Sequence, residues 1–104
     1  MPTKKKSTGK RQPSKTRTAW LPKVGEQVFI RTVTHYYTGR ITAMEGGWIA
    51  LDDAAWIADT GRFHQALESG SLNEVEPFPG GCAVAVGSVV DCTPWPHSLP
   101  RSTK

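Results

Sequence analysis

The chain has 104 residues, two cysteines, eight prolines and a formal net charge of +4. This length leaves room for one small core and no second sizeable domain. Two cysteines outside any CxxC pair exclude a disulfide-dense scaffold or a cysteine zinc cage, and the segment of highest local apolar content, Cys82 to Val90, is too short to span a bilayer.

Charge is divided unevenly along the chain. The first 23 residues hold eight basic side chains and no acidic one, whereas the other 81 hold five basic and nine acidic, so a +8 leader precedes a −4 remainder. The leader cations are Lys4, Lys5, Lys6, Lys10, Arg11, Lys15, Arg17 and Lys23, spaced by Ser, Thr, Gly and Pro. Such a segment cannot bury enough apolar area to fold alone and gains order only against an anionic partner. It has no apolar stretch or small-residue cleavage pattern behind its charges, so it does not read as a secretory signal and cytoplasmic synthesis is expected. Residues 1–23 are therefore a basic extended arm, with the indole of Trp20 as its anchor to the folded part.

Residues 24–92 are expected to form one small β-barrel domain, near the lower size limit for a single core, so that shared surface with a neighbour would add support. Glu26 to Val33 alternates with apolar residues on both faces, which is strand periodicity. Thr34 to Gly39 reads as a polar and aromatic loop, and Arg40 to Glu45 as the next strand. Gly46-Gly47 supplies the positive φ values of a tight hairpin, after which Trp48 to Leu51 resumes as a strand ending at Asp52-Asp53. Ala54 to Ala58 fits a further short strand or a helical turn. Thr60 to Gly70 predicts a short helix capped by Thr60, with Phe63, Ala66 and Leu67 on one face and Gly70 as its stop.

Glu74 to Phe78, Ala83 to Val86 and Ser88 to Asp91 complete the strands, the last two as a hairpin about Gly87. That hairpin sets Cys82 opposite Cys92, so a disulfide is one reading and two reduced, buried thiols in a cytosolic protein the other. Thr93 to Lys104 carries Pro94, Pro96 and Pro100 around Trp95, giving a proline-rich C-terminal arm, residues 93–104, that is extended and available to lie along another surface with Trp95 as its pin. The fold expected is mainly β: a small SH3-like or Sm-like antiparallel barrel with one inserted helix and extended arms at both ends.

The succession Val28-Phe29-Ile30-Arg31-Thr32, a loop, Gly39 opening the next strand, then Asp53-Ala54-Ala55-Trp56-Ile57, Gly61 and a short amphipathic helix resembles a group of small phage-encoded β-barrel proteins over about Val28 to Gly70. The resemblance implies a viral origin and a compact β domain, located in the virion or the host cytoplasm. Members of that group carry basic residues between the alanine and the tryptophan, where this chain has Ala55, so a site built on those residues would be missing here.

No nucleophile elbow, metalloprotease, Walker or dinucleotide motif is present, and His35, His64 and His97 lie in three unrelated segments. No metal or cofactor is implied. Asp52, Asp53 and Asp59 could be read as a carboxylate cluster for a divalent ion, but they lack the alternating spacing of calcium loops, and a solvated turn with a capping role is the plainer reading. His35, Tyr36 and Tyr37 beside Arg31 and Arg40 are the one place where stacking rings and guanidinium groups could converge on single-stranded nucleic acid; the plainer reading has one tyrosine covering the open barrel end and His35 as a polar loop residue. The sequence thus leads to a non-enzymatic docking protein, an assembly or virion component gripping neighbouring subunits with its arms. The alternative is a regulator or chaperone that binds single-stranded RNA or DNA through the basic arm and the aromatic and arginine loop.

Overall fold

The computed structural model describes residues 19–104, and the leader cations Lys4, Lys5, Lys6, Lys10, Arg11, Lys15 and Arg17 lie outside the described residues. Six strands and one short helix follow in the order β1 (Gln27–Thr32), β2 (Tyr36–Glu45), β3 (Trp48–Asp59), α1 (Phe63–Ser69), β4 (Glu74–Pro77), β5 (Cys82–Ala85) and β6 (Val89–Pro94). They form one antiparallel sheet with the path β4-β3-β2-β1-β6, in which β5 pairs with β3 beside that path. No helix of the described residues is long and apolar enough to cross a membrane.

The sheet curls into a barrel because β2 and β3 are long and bent, while β5 and β6 do not pair with each other. Register shifts fall at Thr38/Arg40 and Ile41/Ala43 along β2, and Asp53 in β3 has a φ of 49°, the left-handed backbone of a bulge that sharpens strand twist. Beyond that kink β3 changes partner: Trp48 to Leu51 pair with β5 and Ala55 to Asp59 with β4. The expected strand end at Asp52-Asp53 is thus a bend inside one strand. Gly39 faces the bend, where a Cβ would come within 3.0 Å of Leu51 Cβ.

The expected loop before Arg40 is mostly strand. The chain reverses between Thr32 and Tyr36 because the Thr32 hydroxyl donates to the His35 carbonyl at 2.8 Å and accepts from the His35 N–H at 2.9 Å. The side-chain turn frees Tyr36 and Tyr37 for pairing, where aromatic residues are favoured. Thr60 likewise does not cap α1: its hydroxyl bonds Gly61, and the N-cap residue is Arg62, without a side-chain cap. Gly70 does end the helix, at φ 79° with its N–H on Ala66.

Two cores lie on opposite faces of β1. Val28 and Ile30 join Ile41, Ile49, Leu51 and Val84 inside the barrel, with Trp20, Tyr37 and Phe78 packed at its margin. Phe29 points the other way, into Ile57, Ala66, Val75 and Trp95. The apolar residues read on both faces of this strand therefore have two separate destinations.

The C-terminal segment, expected to reach for another surface, is strapped to its own domain. Trp95 is 1% exposed, its ring 5.7 Å from Phe29 and 4.8 Å from His97, its backbone N–H donates to the Gln27 carbonyl at 2.9 Å, and its indole N–H donates to the Ser98 carbonyl at 3.1 Å. His97 Nε2 donates to the Leu67 carbonyl at the end of α1, at 2.7 Å. Arg101 donates to the carbonyls of Ala54 and Phe78, and Lys104 exchanges both backbone hydrogen bonds with Val75 at 3.0 Å, covering the outer edge of β4. Pro94 sits in edge strand β6, where its missing N–H costs nothing.

Both cysteines are free thiols. The expected Gly87 hairpin does not form: Val86–Ser88 is a 3-10 turn that sends β5 to β3 and β6 to β1, so Cys82 pairs with Leu51 and Cys92 with Ile30. Burial pushes the Cys82 thiol up. The Cys92 thiol is pushed up to about 11, by burial and then by the carboxylates of Asp91 and Glu26. Two measurements check this architecture. Trp95→Ala removes the shared wall of helix and strap and should lower stability by about 3–5 kcal/mol in denaturant unfolding. Thiol titration should find both cysteines sluggish in the native protein at pH 8 and both reactive after unfolding without reductant; fewer than two would restore the bridge.

Candidate interaction surface at the barrel mouth

The residues expected to converge on a ligand do not all form one site. Arg31 lies opposite Asp91 across the β1–β6 ladder, and its Nε donates to both carboxylate oxygens at 2.9 and 3.1 Å while Nη2 joins the second. Its guanidinium carbon also rests 4.6 Å from the Phe63 ring centroid and 6.0 Å from that of Tyr36. This hydrogen-bonded pair holds the Asp91 carboxyl below the usual carboxylate range and the guanidinium above its own. Arg40 is committed elsewhere, with Nη1 2.9 Å from Asp53 Oδ2, and Arg101 Nε approaches the other oxygen of the same carboxylate at 3.8 Å. Both guanidinium groups are occupied by carboxylates and would have to exchange partners to meet a phosphate.

The tyrosines part company as well, as neighbours in a strand must. Tyr36 turns toward the second core, 5.8 Å from Phe29. Tyr37 turns to the barrel mouth, stacked 6.3 Å from Phe78 at 28°. On its other side it stacks on His35 at 6.3 Å, and His35 lies 5.6 Å from Trp56. One tyrosine does cover the barrel end, and it does so inside a row of four rings.

Sequence reasoning missed Trp56 and Phe78 as members of this row. The signal was the alternation of Trp56 outward and Ile57 inward, legible only once Trp48–Asp59 is treated as a single strand. A depression of about 290 Å³ opens between the β1–β2 turn and β3, lined by Val33, Thr34, His35, Tyr36 and Trp56. A second, of about 310 Å³, lies between Arg31, Val33, Tyr36 and the exposed Val90. Glu76 stands directly opposite Trp56 in the β3–β4 ladder, so both project from one face, joined by Glu74 two residues earlier. The aromatic row thus borders carboxylates.

The three aspartates do not gather. Asp53 serves Arg40 and Arg101, the Asp59 carboxylate accepts the Gly61 N–H at 2.8 Å, and among the described residues no group of three His, Cys, Asp or Glu side chains could hold a metal ion. Lys23 is exposed at the start of the described residues. Trp20 is half-buried against the barrel core, and Trp95 fully buried against the second.

No protein-family model matches the chain, and no curated protein matches it either. Solved structures do. A heptameric archaeal Sm protein, studied for its implications for the eukaryotic snRNP core, aligns with a TM-score of 0.51 and 21% identity over 70% of this chain and 90% of its own. The P. aerophilum SmAP1 heptamer aligns with a TM-score of 0.52 and 21% identity over 71% of this chain and 84% of its own. The fold of this chain is Sm-like: a small antiparallel β-barrel with one short helix.

Proposed function

We propose that the chain is a non-enzymatic subunit of an oligomeric, Sm-type assembly that binds single-stranded RNA, with the basic leader supplying the grip on phosphate. The observation that carries this reading is an Sm-like body, net acidic on its own, preceded by eight cations without one acid. Arg31 and Arg40 already hold carboxylates, so phosphate contact falls to the leader. Two structural neighbours are heptamers, one of them tied to the snRNP core. Self-association is further supported by β5 and β6, whose outer edges meet no other strand among the described residues. Trp48 and Val86 lie beside them, 53% and 50% exposed. An edge of one copy added to the other edge of the next is a head-to-tail contact, which closes into a ring when the rotation allows.

Docking into a virion, the other role expected of such a barrel, draws support only from the likeness to phage-encoded proteins. Both structural neighbours are Sm proteins, which favours RNA over a capsid or tail.

Fluorescence anisotropy with a single-stranded RNA oligonucleotide tests the proposal. Affinity should fall steeply with salt, with a log–log slope of about −0.7 per phosphate contact. Replacing Lys4, Lys5 and Lys6 together by Ala should make that slope shallower by about 2. Absence of binding at low salt, or affinity indifferent to salt, would refute it.

A further inference from the structure

The face around Trp56 has a charge that does not suit RNA. The depression beside it is lined by three rings, those of His35, Tyr36 and Trp56, and by no lysine or arginine. Its neighbours on the sheet are Glu76, directly across from Trp56, and Glu74, both exposed and neither in an ion pair among the described residues. Rings offering their negative π-faces next to carboxylates attract ammonium and guanidinium groups and repel phosphate.

A cationic segment of this same chain lies within reach. The leader enters the domain at Trp20, which packs on the same barrel core that Tyr37 and Phe78 close at its mouth. The 16 residue steps from Lys4 to Trp20 can extend by about 50 Å at roughly 3.3 Å each, enough to cross the mouth of so small a domain. Lys and Arg side chains pack their methylene stems on aromatic surface while the charged head faces a carboxylate.

We propose that the barrel-mouth face formed by His35, Trp56, Glu74 and Glu76 is a docking site for the chain's own basic leader, held there until nucleic acid competes it away. This rests on the reading of the leader as the RNA-binding segment. The docked leader is unavailable to phosphate, so observed RNA affinity is the intrinsic affinity reduced by the fraction of leader that is free.

The test uses the full chain and two surface variants, Trp56→Ala and the double substitution Glu74→Gln with Glu76→Gln. Without RNA, the backbone amide resonances of Lys4 to Lys23 should shift in both variants at low salt and coincide with the parent's at high salt. With a single-stranded RNA oligonucleotide, both variants should bind about three- to tenfold tighter. Trp56→Ala is decisive because it changes no charge. Weaker RNA binding by Trp56→Ala would make the face a base-stacking platform and overturn the proposal, and so would leader resonances that ignore both substitutions. Shifts that scale with protein concentration would give the face to a neighbouring copy's leader and overturn the intramolecular contact. Should RNA fail to bind at all while the leader resonances still respond, the docking stands and the RNA-binding function falls.

Discussion

Burial of β1 on both faces is the constraint around which the chain is organised. Val28 and Ile30 face one way and Phe29 the other, so a single-sided sheet would leave a large ring in water at a cost of about 1.5–3 kcal/mol. The barrel covers the first face. The second is covered by α1, β4 and the strap through Trp95, and this is why a helix is inserted after β3 and why the proline-rich end folds back. The strap's backbone pairing with Val75 follows from the same demand: once Trp95 and Leu99 are committed to Phe29's side, the chain passes along β4 and occupies its edge.

Electrostatics adds a division of labour. The described domain places Arg31 and Arg40 against carboxylates on adjoining strands. What stays unengaged on the β3–β4 face is negative and aromatic, and what precedes the domain is positive. Two such objects on one chain attract each other, and a polyanion is the ligand class that separates them most effectively. In the proposed assembly each Sm-like barrel would bring its own leader, and the number of leaders would raise avidity without any new contact.

The fold class, the Gly46-Gly47 hairpin, the helix stop at Gly70 and the two-faced β1 were legible in the sequence, because each follows from a residue type with a narrow conformational role. The rest depended on information that periodicity does not carry. The turn before Tyr36 is closed by the Thr32 hydroxyl, where glycine or proline would have announced it. Asp53 takes a left-handed backbone that normally marks a break, yet the strand continues through it because Ala54, Ala55 and Ile57 have buried places beyond. Cys82 and Cys92 looked like a hairpin pair, and only the 3-10 turn shows that their strands belong to different ladders. At the candidate site the same failure recurs. Arg31, Tyr36, Tyr37 and Arg40 are close in sequence, but alternation puts the tyrosines on opposite faces and the ladder gives each arginine an acid. The ring row is assembled from the β1–β2 turn, β2, β3 and the segment after β4, a juxtaposition set by the curl of the sheet.

Multi-angle light scattering of the full chain, with and without a single-stranded RNA oligonucleotide at low and at high salt, reaches the central claim most directly. The account predicts a multimer that keeps its subunit number in high salt while the RNA it carried at low salt is released. A monomer at every concentration that carries no RNA in low salt would contradict it.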